Sequence, residues 1–367
     1  MSEVQIELFP ARGGDCILVT FGKIDYRILI DGGYKETFSH SLAATLKALA
    51  ATGKGIDLLV ATHVDNDHIM GIIGLFQKLK SQEIKIEIRE IWYNGYRHLF
   101  IDEKEALSPV FGKRLLDEVG KIDSFGMEAR QGREIGYSQG ETLARLLADA
   151  WEDAWNGTFD GKAACWREES LPLELVPQQL SATLLNPGFQ ELQDLERQWN
   201  AFRRKKCLPL KNGDSVVYEH CFERFLANAD RSVTNQSSIA FLLTYAAKEK
   251  TYRLLFLGDA SAERCLERLG GWKNIKFDCI KLPHHGSKNN ITEDTLSQLQ
   301  AEYLLFSTDG RKFGHPDREV AEAAVHAKHC GSLVFNYGRC NAVERIREAY
   351  PAAAVLAGQE GYFKLEL

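Results

Sequence analysis

Ile56-Asp57-Leu58-Leu59-Val60-Ala61-Thr62-His63-Val64-Asp65-Asn66-Asp67-His68 runs from an apolar segment straight into four potential metal ligands. Residues 56 to 62 predict a buried strand, and Ile69 to Leu79 predict a helix with one apolar face. His63, Asp65, Asp67 and His68 therefore fall on the turn between them. Two imidazoles and two carboxylates on one tight turn can hold two divalent ions a few ångströms apart, provided that residues distant in sequence complete each coordination sphere. An ordinary solvated acidic loop has no physical reason to alternate His and Asp in this way.

Four further segments carry similar signals. Gly14-Asp15-Cys16-Ile17-Leu18-Val19 leads to Tyr26-Arg27-Ile28-Leu29-Ile30-Asp31-Gly32-Gly33, an apolar hairpin pattern that ends on an aspartate. Leu254-Leu255-Phe256-Leu257-Gly258-Asp259 is an apolar strand that ends on a carboxylate. Lys281-Leu282-Pro283-His284-His285-Gly286-Ser287 and Gly314-His315-Pro316 follow. In this order the segments resemble the motifs of the metallo-β-lactamase superfamily. The opening run is similar to the His-x-His-x-Asp-His motif, with Asp65 where the second His usually stands. Asp31 resembles the first-motif aspartate, and Asp259 the carboxylate that bridges both metals. Asp65, the Pro-His-His-Gly-Ser run and the late Gly-His-Pro together look most like the ComEC-type branch, which includes the hydrolase domain of the competence DNA-internalisation channel and phosphorylcholine esterases. Asn235-Gln236-Ser237-Ser238-Ile239-Ala240-Phe241 and Ala182-Thr183-Leu184-Leu185-Asn186-Pro187 are similar to that branch as well. The resemblance covers most of residues 4 to 95 and 170 to 365.

The resemblance implies an αββα sandwich: two mixed sheets face to face, helices outside, metals at one edge. Residue patterning alone supports α/β layers with ligands at strand ends. A single hydrolase domain over residues 1 to 367 is expected, interrupted at residues 96 to 169 by a helical insertion. Within that insertion, Glu103 to Ile122 and Gln139 to Asn156 have helical composition, and Leu143, Leu146, Leu147, Ala150 and Trp151 form one apolar stripe. Such an insertion either shapes the substrate site or supports the core. Near the end, Asp317 to His329 predicts a helix, and Ser332 to Asn336 and Gly361 to Leu367 predict strands.

Composition sets the class. Hydrophobic residues make up 44% of the 367, enough for a large core. No apolar run approaches the length that spans a bilayer, and Met1-Ser2-Glu3-Val4-Gln5 lacks a basic and apolar signal pattern, so a cytoplasmic protein without membrane insertion is expected. The eight cysteines are scattered without a Cys-x-x-Cys pair, which predicts reduced thiols and argues against a thiolate zinc site. A formal charge of −6 gives no global support to nucleic-acid binding. Locally, Arg197, Arg203, Arg204, Lys205 and Lys206 form a basic cluster that either meets phosphates or caps a helix C-terminus with cations.

The resemblance assigns His63 and Asp65 to one metal, Asp67 and His68 to the other, Asp259 to both, and His284 or His285 to the completion of one sphere. The superfamily usually supplies one more His before the bridging Asp, and only His98 and His220 are available here. Asp31 is expected to support the metal-bearing loops rather than to bind metal. An Asp in place of an imidazole makes the site harder, so either Zn²⁺ or Mn²⁺ suits the two positions. The ions would lower the pKa of a water held between them enough to supply hydroxide near neutral pH. Asp67, His285 and His315 then lie closest to the chemistry. His315, or whichever of His284 and His285 does not bind metal, is the candidate acid for the leaving oxygen, and Ser287 and Lys288 are candidates for holding a phosphate oxygen.

Three functions are compatible with these residues. A phosphodiesterase or nuclease acting on DNA or RNA is what the branch resemblance implies. A hydrolase of a small phosphodiester or other ester, such as a cyclic nucleotide or a phosphocholine group, fits the acidic composition. A metal-binding regulatory subunit, with partner proteins in a multi-gene defence or DNA-processing system, is the third. A continuous positive groove past the metals separates the first from the second, which needs a closed pocket.

Overall fold

A computed structural model of the chain describes residues 2–99, 132–206 and 232–367. Two sheets form the centre. The first contains Val4–Leu8 (β1), Ile17–Phe21 (β2), Tyr26–Ile30 (β3), Ile56–Val60 (β4), Ile88–Trp92 (β5) and the last strand, Phe363–Glu366 (β14). The second contains Leu173–Val176 (β6), Leu180–Asn186 (β7), Ala240–Ala246 (β8), Thr251–Phe256 (β9), Lys276–Lys281 (β10), Gln300–Phe306 (β11), Cys330–Phe335 (β12) and Val355–Ala357 (β13). The spatial orders are β14-β1-β2-β3-β4-β5 and β13-β12-β11-β10-β9-β8-β7-β6.

Side-chain alternation explains why these strands make layers. In β4, Leu58 and Val60 face one way and join Ile28, Phe241, Leu254 and Leu305 in the core between the sheets. Leu59, one residue out of phase, points outward and packs with Ile69, Ile72 and Phe76 of the helix Asn66–Lys80. The second sheet behaves in the same way, with Leu255, Ile280 and Leu304 turned toward Leu266, Val320 and Ile346 on its outer helices. A period of two on the strands and of 3.6 on the helices thus builds the αββα sandwich.

Each sheet is antiparallel on one side and parallel on the other: β3, β4 and β5 run parallel, as do β9 to β13. Parallel strands end at a common edge, and the turns leaving those ends gather there. The edges of the two sheets are stitched together. Ile239 N donates to Thr62 O at 2.9 Å, and Ser307 Oγ to Gly14 O at 2.7 Å.

The C-terminal helix and last strand are shorter than their patterns predict, at Arg318–His326 and Phe363–Glu366, whereas the strand between them, Cys330–Phe335, begins two residues earlier and ends one residue sooner than expected. That last strand returns to the first sheet and pairs with β1. The helix Gly132–Ala150 covers much of the expected segment from Gln139 to Asn156 and stops before Trp151. The segment Glu103 to Ile122 lies outside the described residues. Among the described residues no helix is long and apolar enough to cross a membrane. Among the described residues six cysteines are free thiols, and Cys16, Cys265, Cys279 and Cys340 are buried.

Candidate metal centre

The turn after β4 is held from three directions. Asp31, fully buried at the end of β3, accepts hydrogen bonds from Thr62 N at 2.8 Å and Thr62 Oγ1 at 2.7 Å. Its Oδ2 also lies 2.8 Å from His68 Nδ1, so the imidazole presents Nε2 to the centre. Gly71 N donates to Gly33 O at 2.9 Å, and a Cβ on Gly71 would meet Gly32 O at 1.9 Å, so only glycine lets this loop dock on the helix. Gly14 is packed as tightly from the other side, where a Cβ would lie 1.9 Å from Asp67 O.

The second sheet delivers the opposing groups. Asp259 follows Gly258 at the end of β9, and its backbone N–H donates to Ser238 Oγ at 3.3 Å. Beyond β10, His284 and His285 adopt the left-handed region with φ of 44° and 56°. Two consecutive non-glycine residues there are costly and persist only where surrounding structure enforces them. Here His284 N donates to Gly258 O at 3.0 Å, and its Nδ1 lies 3.0 Å from Asn290 Oδ1.

Four imidazoles converge on Asp259. The Nε2 atoms of His63, His68 and His284 lie 3.7, 3.5 and 3.8 Å from its Oδ2, and that of His285 lies 3.8 Å from its Oδ1. Two ligand groups share the aspartate or flank it: His63 with His68 and Asp259, and Asp67 with His68 and His285, all ligand atoms within 4.8 Å of one another in each group. Asp65 reaches His63 Nε2 at 4.0 Å from the first residue before the helix. His63 Nε2, His68 Nε2, His285 Nε2 and Asp259 Oδ1 are buried without a hydrogen-bond partner. Buried polar atoms left in this way carry a desolvation cost, and a divalent cation would offset it. Imidazole with carboxylate is a donor set for Zn²⁺ or Mn²⁺.

The electrostatics follow from burial and crowding. Burial, with the neighbouring His68, pushes the His63 imidazole down to about 4, the neutral state in which it ligates. Burial also works against charge on Asp259, but His68, His284 and His285 outweigh it and hold the carboxyl well below its ordinary range. For His68 the carboxylates of Asp259 and Asp31 overcome burial and raise its pKa. The recessed position of Asp65 and the like charge of Asp67 push its carboxyl up to about 6.

Asp15 belongs to this centre, and residue patterning alone assigns it no role. Its Oδ1 lies 3.5 Å from His285 Nδ1, and its Oδ2 accepts from the buried Lys281 Nζ at 2.6 Å. It also falls within the ligand groups Asp15, Asp259, His285 and Asp15, Asp31, His68. The available signal was a carboxylate just before the mostly apolar strand Ile17–Phe21, where solvation does not explain it. Ser238 is a second addition, its Oγ lying 3.2 Å from His63 Nδ1.

Other candidates take different places. The His315 ring stands 5.3 Å from that of His284, with Nδ1 3.7 Å from Asp317. Ser287 is buried and its Oγ accepts from Asn289 N at 3.3 Å, while Lys288 extends over the surface to Glu319 at 2.8 Å. His98 packs edge-on against Trp155 at 4.5 Å and accepts from Arg97 Nε at 3.2 Å. Among the described residues it joins no ligand group, and His220 lies outside them. The basic cluster is not a continuous face: Arg203 is fully buried, paired with Glu141 and lying 4.2 Å from the Tyr96 ring centroid.

Residues 10–135 match the family model described as the metallo-beta-lactamase superfamily. Over those residues, which include the ligand turn at residues 63–68, the chain is similar to that superfamily. Beyond that model, 69 residues are 32% identical to ComE operon protein 3 of Bacillus subtilis (strain 168), which is 18% of this chain and 9% of that protein. The chain thus spans a small part of that relative. Among solved structures, a metal-dependent hydrolase of the β-lactamase superfamily aligns over 99% of both chains, with 12% identity and a TM-score of 0.40. A β-lactamase from Chitinophaga pinensis aligns over 78% of this chain and 76% of its own, with 12% identity and a TM-score of 0.31.

Proposed function

We propose that this chain is a metallo-β-lactamase-like, metal-dependent phosphodiester hydrolase acting on nucleic acid, DNA or RNA. The observation that carries the reading is the convergence of four imidazole Nε2 atoms on the two oxygens of one buried aspartate. His63, Asp65 and Asp259 would hold one cation, with His284 in reach of the same carboxylate oxygen; Asp67, His68, His285 and Asp259 would hold the other. Two adjacent cations, when bound, supply an activated water and neutralise the charge that builds on phosphoryl oxygens. What favours a nucleic-acid substrate is the resemblance of the ligand-bearing segments, Asp65, Pro283-His284-His285-Gly286-Ser287 and Gly314-His315-Pro316, to the ComEC-type branch.

The protein's own groups do the rest. Asp31 holds His68 from behind by a hydrogen bond to Nδ1, and Asp15 lies 3.5 Å behind His285 Nδ1, so each ring presents Nε2 to the centre. His315 stands beside His284 on the open side and supplies the proton for the leaving oxygen. Burial and the charge of His284 push its pKa down to about 4. An arriving phosphodiester carries negative charge, which opposes both causes and favours the imidazolium where it is needed.

The test is hydrolysis of labelled single-stranded DNA, double-stranded DNA, RNA and bis-p-nitrophenyl phosphate with Mn²⁺ or Zn²⁺, comparing wild type with the double variant Asp67→Ala, His68→Ala. Metal-dependent polymer cleavage that the double variant lacks is the expected result. Turnover of the small diester alone moves the assignment to a small-substrate esterase, and binding of metal without any turnover moves it to a regulatory role.

A further inference from the structure

Outside the ligand set, the rim of the centre carries an aromatic and cationic group that its own packing does not explain. Phe313 is 53% exposed, on the loop between β11 and the helix Arg318–His326. Its ring centroid is 6.1 Å from that of His315. Lys312 Nζ stands 4.5 Å from the Phe313 centroid and donates to Tyr34 Oη at 3.3 Å. The Arg12 guanidinium lies 6.0 Å from the Tyr34 ring centroid. On the loop carrying Arg12, a Cβ on Gly13 would come 4.0 Å from Phe313 Cδ2.

Three loops therefore meet here, and each also supplies the metal centre. Asp15 follows Arg12, Asp31 precedes Tyr34, and His315 follows Phe313. Burial and the nearby charge of Asp67 raise the Tyr34 pKa. Burying a Phe side chain stabilises a fold, and about half of that gain is forgone at Phe313. Both cations are exposed, and the aromatic faces they flank are of the kind on which unpaired bases stack, with cations left over for phosphate.

We propose that Phe313, Lys312, Tyr34 and Arg12 form a subsite that stacks an unpaired base next to the scissile phosphate and neutralises the adjoining phosphate, making single-stranded nucleic acid the preferred substrate. The proposal rests on the phosphodiesterase reading and sharpens it. In a duplex the base faces are occupied by their neighbours, so the Phe313 ring has no partner and only the cations act. The expected selectivity is for single strand over duplex, with little dependence on sequence.

Fluorescence anisotropy of a short labelled single strand and of the matching duplex, both in EDTA so that nothing is cleaved, tests it. Phe313→Ala is expected to weaken single-strand binding about tenfold, within the range for loss of one base–aromatic stack, and to leave duplex binding nearly as it was. Phe313→Trp restores the single-strand preference, and an abasic strand erases the difference between wild type and Phe313→Ala. Equal loss for strand and duplex, no loss at all, or failure of wild type to bind the strand overturns the subsite. The phosphodiesterase reading is judged separately, by metal-dependent turnover of bis-p-nitrophenyl phosphate. A positive result there with unchanged binding in Phe313→Ala rejects the subsite alone.

Discussion

The first half of the chain delivers His63, Asp65, Asp67 and His68 from six consecutive residues, whereas the second half delivers Asp259, His284, His285 and His315 from the ends of three neighbouring parallel strands. One set is arranged locally, by a strand that stops and a helix that starts. The other depends on register: Lys281 pairs with both Phe256 and Leu305, so the turns leaving β9, β10 and β11 open at one level. The difference teaches that a local turn can concentrate ligands, while the opposing sheet decides whether they face anything. Asp259 is where the two arrangements meet, because His63 and His68 from one and His284 and His285 from the other all address it.

The largest expected effect comes from removing that meeting point. Asp259→Ala should lower turnover of bis-p-nitrophenyl phosphate by at least about 10³-fold, beyond the 10–100-fold typical of groups that only support ligands, and should deplete bound metal measured by elemental analysis. Full metal content and activity in this variant would show that the six-residue turn suffices alone.

Stability probes the scattered half next. Lys281 and Asp15 are a buried pair, and Lys281→Met leaves the carboxylate uncompensated, so urea unfolding in chelator should show a loss of about 3–5 kcal/mol. Burial alone would raise the Asp15 pKa, but Lys281 and His285 outweigh it and hold the carboxyl far below its ordinary range. A depressed folded-state pKa contributes stability that is present in full above the unfolded value near 3.9 and lost as pH falls through the folded one. Wild type in chelator should therefore weaken as the pH drops below about 4, and Lys281→Met should show a shallower acid limb. Equal limbs in the two proteins would mean that the pair does not tie Asp15 to the second sheet.

His315→Ala should reduce turnover by about 100-fold with metal content unchanged, since it removes a proton donor and not a ligand. A parallel loss of metal would move His315 into the ligand set. The smallest effect is expected behind the contiguous turn. Asp31 sits at φ 56°, a conformation that Asn tolerates, so Asp31→Asn should fold and bind metal about 10–100-fold more weakly in a competition titration. Affinity equal to wild type would show that the turn orients His68 without help from β3.

Legibility in the sequence follows the same division. The run from His63 to His68 stands out because its ligands are adjacent, and Asp259, His284 and His285 stand out because each follows an apolar strand. Asp15 was hidden, since its meaning depends on Lys281 and His285 reaching it across the edge. The basic residues after Phe189 were misleading: Arg203 continues a charged run, yet the fold turns it inward onto Glu141 and Tyr96. The choice between His284 and His285 could not be read either, because both reach Asp259 through a backbone turned left-handed twice in succession.

The sequence by itself determined the strand-to-ligand punctuation, through apolar runs of period two that end on His or Asp and through glycines placed where no Cβ fits. These are local matters of solvation and sterics, settled within a few residues. Only the tertiary structure decided that the two edges oppose each other, that Asp15 and Ser238 stand behind the ligands, and that Phe313, Lys312, Tyr34 and Arg12 share one rim. Such groupings depend on sheet pairing between distant segments, and the energies that set that pairing reside in the common core, far from the residues it brings together.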